Sequence, residues 1–354
     1  MQIINIILLV LSALFFIALT LPLIRNDHWT FRVFEFPRLQ KMVISLLLLT
    51  GLLTLYFYQR ETYQLFVIGL LGLALIYLFY QIAPFLPIAP KQVASVGKKK
   101  EYTNFDMLIS NVYQYNEAYD KLVRLVNNTK PDLVMLVETN EKWKDAAVSG
   151  FGSEYPYQIL KDLENTYGML LFSKLKLKEA EVRHLISKEV PSIKTKIVLP
   201  DEQEVMFYGI HPEPPVPSEN PKSTARDAEI LLCAREIKKL DAPVFIAGDL
   251  NDVAWSYTTE LFLKVSDLLD PRRGRGFFNT FHAKYSLLRW PLDHIFCSHH
   301  FCVKKIERMP TIDSDHFPMH ISLSLTPNNN SDNEMDASEE EKEQAAEKVE
   351  KGTS

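Results

Sequence analysis

The sequence holds only three cysteines, Cys233, Cys297 and Cys302, and none belongs to a Cys-x-x-Cys pair. An odd, scattered set excludes a disulfide framework and a cysteine-based zinc site. The thiols are expected to be buried or idle. No segment repeats at a period of roughly 20 to 50 residues, which removes solenoids and propellers. A basic excess is also missing: residues 101–326 carry 27 Lys+Arg against 32 Asp+Glu, a net of −5. A protein that grips duplex DNA through its phosphates ordinarily presents a basic face, so the average charge gives general DNA binding no support. Residues 1–24 contain no charged side chain, and residues 327–354 contain no aromatic one.

The missing charge near the amino terminus belongs to the first of three apolar runs, Ile4–Ile24, Met42–Tyr58 and Thr62–Pro90. A helix crosses a bilayer with about 20 apolar residues. Residues 1–90 are therefore read as a membrane region with helices at about 3–24, 42–58 and 63–85. A cleaved leader would carry a positive n-region, and Met1-Gln2 supplies no side-chain charge. Three spans put the first loop and everything after residue 90 on one face. That face carries Arg25, Arg32, Arg38, Lys41, Lys91, Lys98, Lys99 and Lys100; the other has Arg60. The positive-inside rule then predicts a multi-pass protein of the cell (inner) membrane with its polar domain in the cytoplasm. The loop Trp29–Gln40, with Trp29, Phe31, Phe34 and Phe36, suits an interfacial segment.

Residues 91–100 read as a polar linker and 101–326 as a globular domain. Strands are expected at Phe105–Val112, Asp132–Glu138, Tyr167–Phe172, Lys194–Leu199, Val205–His211, Val244–Asp249, His294–Ser298 and Met319–Leu325. Helical spacing runs through Glu117–Asn127 and Ser223–Leu240. The domain is α/β (α+β), with sheets packed face to face under helices. Residues 327–354 are acidic and poor in apolar side chains, and are expected to be disordered or a frayed helix.

Polar residues recur at the expected strand ends: Asn111, Glu138, His211-Pro212, Gly248-Asp249-Leu250-Asn251-Asp252, Asp293-His294 and Ser314-Asp315-His316. Loops at strand ends are where rigid scaffolds present reactive groups. A hard cation such as Mg²⁺ (or Mn²⁺) takes oxygen ligands from one or two carboxylates and keeps waters for phosphate. Glu138, Asn111 and Asp315 supply such oxygens. Phosphoester hydrolysis further needs an activated water, charge neutralisation and help for the leaving oxygen. Asp249 suits the water, His316 held by Asp293 suits a charged imidazole or proton carrier, and His211 and Asn251 suit hydrogen bonds to the phosphoryl group. Each motif alone has a plain reading as a turn, a cap or a solvated strand end. Their succession in one domain carries the inference.

That succession resembles the endonuclease/exonuclease/phosphatase superfamily, with its deoxyribonuclease I-like fold. The likeness spans residues 104–325, with Gly-Asp-x-Asn and Ser-Asp-His its most specific elements. It implies a four-layered sandwich of two β-sheets flanked by helices, and Mg²⁺-dependent hydrolysis of phosphodiesters or phosphomonoesters. It also implies metal-site roles for Asn111, Glu138 and Asp315, a water- and phosphate-handling pair in Asp249 and Asn251, and an Asp293–His316 dyad. Val-Glu-Thr-Asn stands where many nucleases of the family have Gln-Glu, which weakens a nuclease reading. The membrane segment resembles that of a bacterial subgroup.

Two groups have two readings. Arg272, Arg273 and Arg275 hold a substrate phosphate or line a solvated loop. Trp255 stacks on substrate or packs. The expected partners are the bilayer and a phosphoester substrate, lipid-linked or nucleic acid. The alternatives to a phosphodiesterase or phosphatase are a membrane-bound nuclease acting on DNA or RNA and, in another class, a catalytically silent membrane scaffold.

Overall fold

The computed structural model describes residues 1–97, 102–326 and 331–353. Lys98–Lys100 of the expected linker and Asn328–Asn330 of the expected tail lie outside the described residues. Three helices are long and apolar enough to cross a membrane, Gln2–Ile24, Arg38–Gln59 and Thr62–Phe85. They pack through Phe15, Leu48, Leu52, Leu71 and Leu78, while Phe57, Phe66, Ile76 and Tyr80 point outward from the bundle. Apolar side chains all round are what a lipid solvent requires. Polar side chains inside the bundle bond across helices: Asn5 Nδ2 donates to Tyr63 Oη at 2.6 Å and Gln64 Nε2 to Asn5 Oδ1 at 3.0 Å.

We label the helical parts of these spans α1 (Gln2–Thr20), α3 (Arg38–Gln59) and α4 (Thr62–Ile82), with the short α2 (Trp29–Arg32) between the first two. The remaining helices are α5 (Tyr119–Thr129), α6 (Glu141–Gly150), α7 (Thr224–Ile237), α8 (Tyr257–Ser266) and α9 (Glu339–Thr353). The strands are β1 (Asn104–Asn111), β2 (Leu133–Val137), β3 (Tyr157–Lys161), β4 (Met169–Ser173), β5 (Lys176–Arg183), β6 (Ser192–Val198), β7 (Glu204–Gly209), β8 (Val244–Asp249), β9 (Asp293–Cys297), β10 (Phe301–Arg308) and β11 (Met319–Leu325). They form a six-stranded sheet, β10-β11-β1-β2-β4-β3, and a five-stranded sheet, β5-β6-β7-β8-β9.

Period-two alternation places one face of each strand in the central core. Phe105, Met107 and Ile109 of β1 meet Phe207 of β7 and Phe245 and Ala247 of β8 there. The intervening residues turn outward: Leu108, Val134 and Leu136 pack under α5 and α6, and Tyr208 and Ile246 under α7 and α8. The result is the expected four-layered sandwich of two mixed sheets flanked by helices. In each sheet the parallel pair lies inside, β1–β2 in one and β7–β8 in the other, so their carboxyl ends open on one edge of the sandwich.

The three-helix bundle and the sandwich meet in a built junction. Phe85, Val253, Ala254, Trp255 and Leu292 are buried together against Phe36 and Trp290. Arg32 bonds Glu35 at 3.0 Å and lies 3.6 Å from Asp227 of α7. The expected linker is not a free tether over its described part. Val93 is fully buried, and Ser95 bridges Val303 on β10, the outer strand of the six-stranded sheet. The tail takes the helical one of its two expected forms over Glu339–Thr353, but docked instead of frayed. Ala345 and Val349, four residues apart, bury one stripe of α9 in the α7–α8 core, and Lys348 Nζ bonds Asp227 Oδ2 at 2.8 Å. The acidic face of α9 remains in water, so low mean hydropathy concealed a narrow apolar stripe.

Candidate active site

All eight predicted residues meet where the two sheets share an open edge. β1 ends on Asn111, and Glu138 follows β2. His211 lies just beyond β7, β8 ends on Asp249, β9 begins on Asp293, and Asp315-His316 precede β11. Gly248 makes this convergence possible, because a Cβ there would stand 1.8 Å from the Ile210 carbonyl oxygen. Glu138 (φ 58°) and Asn251 (φ 51°) both adopt the left-handed region, a conformation that costs free energy in residues other than glycine and gathers at functional sites.

Hydrogen bonds tie the groups into one constellation. Asn111 Nδ2 donates to Glu138 Oε1 at 2.6 Å and to Asp249 Oδ2 at 3.0 Å. Asp249 Oδ1 accepts the Asn251 backbone N–H at 2.9 Å, and Asn251 Nδ2 donates to the Pro212 carbonyl at 3.0 Å. His316 Nδ1 bonds Asp293 Oδ2 at 2.8 Å, and its Nε2 lies 3.5 Å from Asp249 Oδ2. At the site, the buried atoms His211 Nδ1 and Asp293 Oδ1 have no hydrogen-bond partner among the described residues.

These contacts set the charge states. Burial alone would lower the His316 imidazole, but Asp293 and Asp249 outweigh it and raise it to about 10. It is therefore a cation at neutral pH. Burial lowers His211 to about 4, so that imidazole is neutral. Burial raises Glu138 to about 7 against the opposing hydrogen bond from Asn111, and Asp315 and Asp249 push it the same way. Asp249 is also raised, chiefly by burial. Four carboxylates, Glu138, Asp249, Asp293 and Asp315, thus face one imidazolium. Oxygen donors with surplus negative charge fit a hard divalent cation. Glu138, His211 and Asp249 place ligand atoms within 4.8 Å of one another, as do Asp249, Asp293 and His316.

Four candidate substrate contacts have protein partners in the structure, and Trp255 takes the packing one of its two readings. Arg272 is buried in a bidentate pair with Asp270 (2.9 and 2.8 Å) and touches His294 Nδ1 at 2.7 Å. Arg273 bonds Glu260 at 2.5 Å, and Arg275 donates to the Val93 carbonyl at 2.7 Å. The arginine run is committed to these protein partners and staples β9, α8 and the chain that follows the third long helix. Trp255 is 4% exposed and its Nε1 donates to the Glu35 carbonyl at 3.0 Å, so its ring packs at the junction between the helical bundle and the sandwich.

Other residues around the site escaped sequence reasoning. Ser314 Oγ donates to the Asn111 carbonyl at 2.8 Å and accepts the His316 N–H at 3.0 Å. The Phe281 ring lies 4.9 Å from the His316 ring and the Tyr167 ring 5.6 Å from His211. Arg226, fully buried, donates from Nη1 to the Asn251 carbonyl at 2.7 Å and pairs with Asp227 and Asp252. Ser314 had a signal in the Ser-Asp-His motif. Arg226-Asp227 reads from sequence as an ordinary wet helix pair.

A sandwich that gathers carboxylates, an amide and two imidazoles at one open edge belongs to the class of metal-dependent phosphoester hydrolases. Residues 108–316 match the Endonuclease/Exonuclease/phosphatase family, and the chain belongs to that family. Similar solved structures include D. rerio TDP2 complexed with a single-strand DNA product, 15% identical, covering 63% of this chain and 100% of that one, with a TM-score of 0.53. An endonuclease/exonuclease/phosphatase from Bacteroides vulgatus is 18% identical over 63% of this chain and 100% of that one, TM-score 0.51. The human Nocturnin catalytic domain with bound sulfate is 16% identical over 63% of this chain and 94% of that one, TM-score 0.51. At these identities the likeness is one of fold. No curated protein matches the chain.

Proposed function

We propose that the protein is a membrane-anchored, Mg²⁺-dependent phosphodiesterase or phosphatase of the cell membrane, with its site on the cytoplasmic face. The observation that carries the chemistry is the pairing of a buried imidazolium, His316, with Asp293 at 2.8 Å and Asp249 at 3.5 Å. Asn111, Glu138 and Asp315 would hold Mg²⁺ or Mn²⁺, which when bound neutralises charge on the phosphate oxygens. Asp249, made more basic by burial, orients a water and takes its proton as the water oxygen bonds to phosphorus. The bond from phosphorus to the leaving oxygen breaks, and His316 protonates that oxygen. The proton on Asp249 then returns to His316 Nε2. Neutral His211 and the free N–H of Asn251 donate to the phosphoryl oxygens.

Three helices able to cross a bilayer, with the first loop docked on the sandwich, support the anchor. The cationic first loop supports a cytoplasmic assignment of that face by the positive-inside rule. A membrane-bound nuclease is the second reading; its support is that a protein of the same fold holds a DNA product. The metal role is tested by calorimetric titration of the full chain in detergent with Mn²⁺. Glu138→Gln should weaken binding at least about tenfold, the scale on which loss of a ligand acts. Unchanged affinity would remove Glu138 from the metal site.

A further inference from the structure

Between Thr280 and Leu292 the chain forms a hairpin that the hydrolytic chemistry does not use. Phe281 and Trp290 pair antiparallel, and the His282 N–H donates to the Leu288 carbonyl at 3.0 Å. Its tip is apolar and wet, with Leu287 83% exposed, Tyr285 59% and Leu288 49%. Among the described residues outside the membrane helices, no other loop exposes more than one large apolar side chain. Soluble surfaces rarely gather such side chains without a partner.

Both ends of the hairpin's surroundings identify that partner. On one side it touches the start of a membrane helix: Gln40 Nε2, in the first turn of α3, donates to the Leu287 carbonyl at 2.8 Å. Phe36, just before α3, packs edge-on against Trp290 with ring centres 5.7 Å apart. The hairpin tip therefore stands at the level where the second span enters the bilayer. Lys284 and Arg289 flank the apolar tip, and Trp290 closes it. Basic and aromatic residues around leucines are the composition of a segment that lies in the headgroup layer. On the other side the hairpin is the wall of the active site. Phe281 stacks on Trp290 and sits 4.9 Å from the His316 ring, and the Ala283 N–H donates to the Asp315 carbonyl at 2.6 Å.

We infer that the hairpin Phe281–Trp290 dips Tyr285, Leu287 and Leu288 into the bilayer surface and presents the site to amphiphilic phosphoesters resident there. The inference rests on the hydrolase reading above for its substrate class. Its membrane contact stands apart from that reading. A continuous series of contacts, Gln40 to Leu287 and Phe36 to Trp290 to Phe281 to His316, joins the bilayer boundary to the catalytic imidazole. A headgroup phosphate beside the tip then reaches the site without leaving the membrane, whereas a soluble substrate gains nothing from the tip.

Two measurements on the full chain in vesicles of phosphatidylcholine and phosphatidylglycerol test this. The native cysteines are all buried, so Leu287→Cys takes an environment-sensitive dye selectively. Its emission should shift blue and be quenched by doxyl-labelled phosphatidylcholine; a water-like, unquenched dye overturns the proposal. The second measurement compares two esters with the same reacting group, methyl p-nitrophenyl phosphate in solution and hexadecyl p-nitrophenyl phosphate in the vesicles. Leu287→Glu with Leu288→Glu should lower turnover of the hexadecyl ester about tenfold or more, given the cost of moving charge in place of leucine toward lipid. The methyl ester should be unaffected. Equal effects on the two esters, or none on either, contradict the proposal. If the unaltered chain with Mg²⁺ cleaves neither ester, the phosphodiesterase reading fails instead, and the dye still decides the hairpin's membrane contact.

Discussion

Arg226 offers the sharpest perturbation outside the reacting groups. Its guanidinium is buried and serves three acceptors: Asp227 at 2.8 Å, Asp252 at 3.2 Å and the Asn251 carbonyl at 2.7 Å. Arg226→Met keeps much of the volume and removes the charge. Asp227 would retain Lys348 at 2.8 Å and Arg32 at 3.6 Å. Asp252 would keep hydrogen bonds only from neutral groups, Ser256 Oγ at 2.6 Å and the Val253 N–H at 2.9 Å, with the Arg32 charge acting on it without a hydrogen bond. The unpaired charge therefore falls on Asp252, and breaking a buried pair in this way costs about 3–5 kcal/mol. In a domain of this size that lowers Tm by roughly 10 °C. Adding Asp252→Asn removes the stranded charge, so the double variant should recover at least half of the loss. The assay is thermal unfolding of the detergent-solubilised full chain, read by tryptophan fluorescence for the two single variants, the double variant and the unaltered chain. A shift equivalent to less than about 1 kcal/mol in Arg226→Met, or no recovery in the double variant, would refute the argument that this arginine balances the catalytic turn.

Two further outcomes follow. Burial, helped by Glu213, raises the Glu229 carboxyl to about 8 from its ordinary 4.5, so the folded chain keeps a proton that the unfolded chain loses. Stability from this group is complete below about pH 4.5 and declines until the pH passes about 8. Glu229→Gln should match the unaltered chain near pH 5 and exceed it near pH 9 by a few kcal/mol; parallel stability curves would show that Glu229 ionises freely. Gly248→Ala forces a Cβ into the Ile210 carbonyl, 1.8 Å away in the unrelaxed geometry, and must part β7 from β8 beneath Asp249. Overpacking of this kind costs about 1–3 kcal/mol or more, and turnover should fall at least tenfold; normal turnover at an unchanged Tm would contradict it.

Much of this architecture was legible because the interior strands carry nearly continuous apolar runs. β2 is Leu-Val-Met-Leu-Val, and β8 begins Val-Phe-Ile-Ala. The strands that sequence reasoning missed, β3, β5 and β10, include three sheet edges. β5 reads Lys-Leu-Lys-Glu-Ala-Glu-Val-Arg and β10 ends Lys-Lys-Ile-Glu-Arg; charges protect an open edge and erase the strand signal. The site could be read because strand ends fix its residues within short motifs. The arginine run 272–275 could not, since its partners Glu260, His294 and Val93 are brought to it only by the fold. Trp255 was ambiguous for the same reason: its hydrogen-bond partner, the Glu35 carbonyl, lies before the second long apolar helix. The docking of residues near Val93 and of the tail helix could not be read, because a few apolar side chains, Val93, Ala345 and Val349, decide it.

The central claim is that a metal-dependent site built around His316 cleaves phosphoesters. The most direct test is hydrolysis of bis-p-nitrophenyl phosphate by the purified full chain, with EDTA and then with Mg²⁺ or Mn²⁺ restored, beside His316→Ala under the same conditions. The account predicts turnover that EDTA abolishes and Mg²⁺ restores. It also predicts a loss of about a hundredfold or more in His316→Ala, the scale of one acid–base group, at a Tm showing that the variant is folded. Full turnover in EDTA, or near-normal turnover by folded His316→Ala, would contradict it.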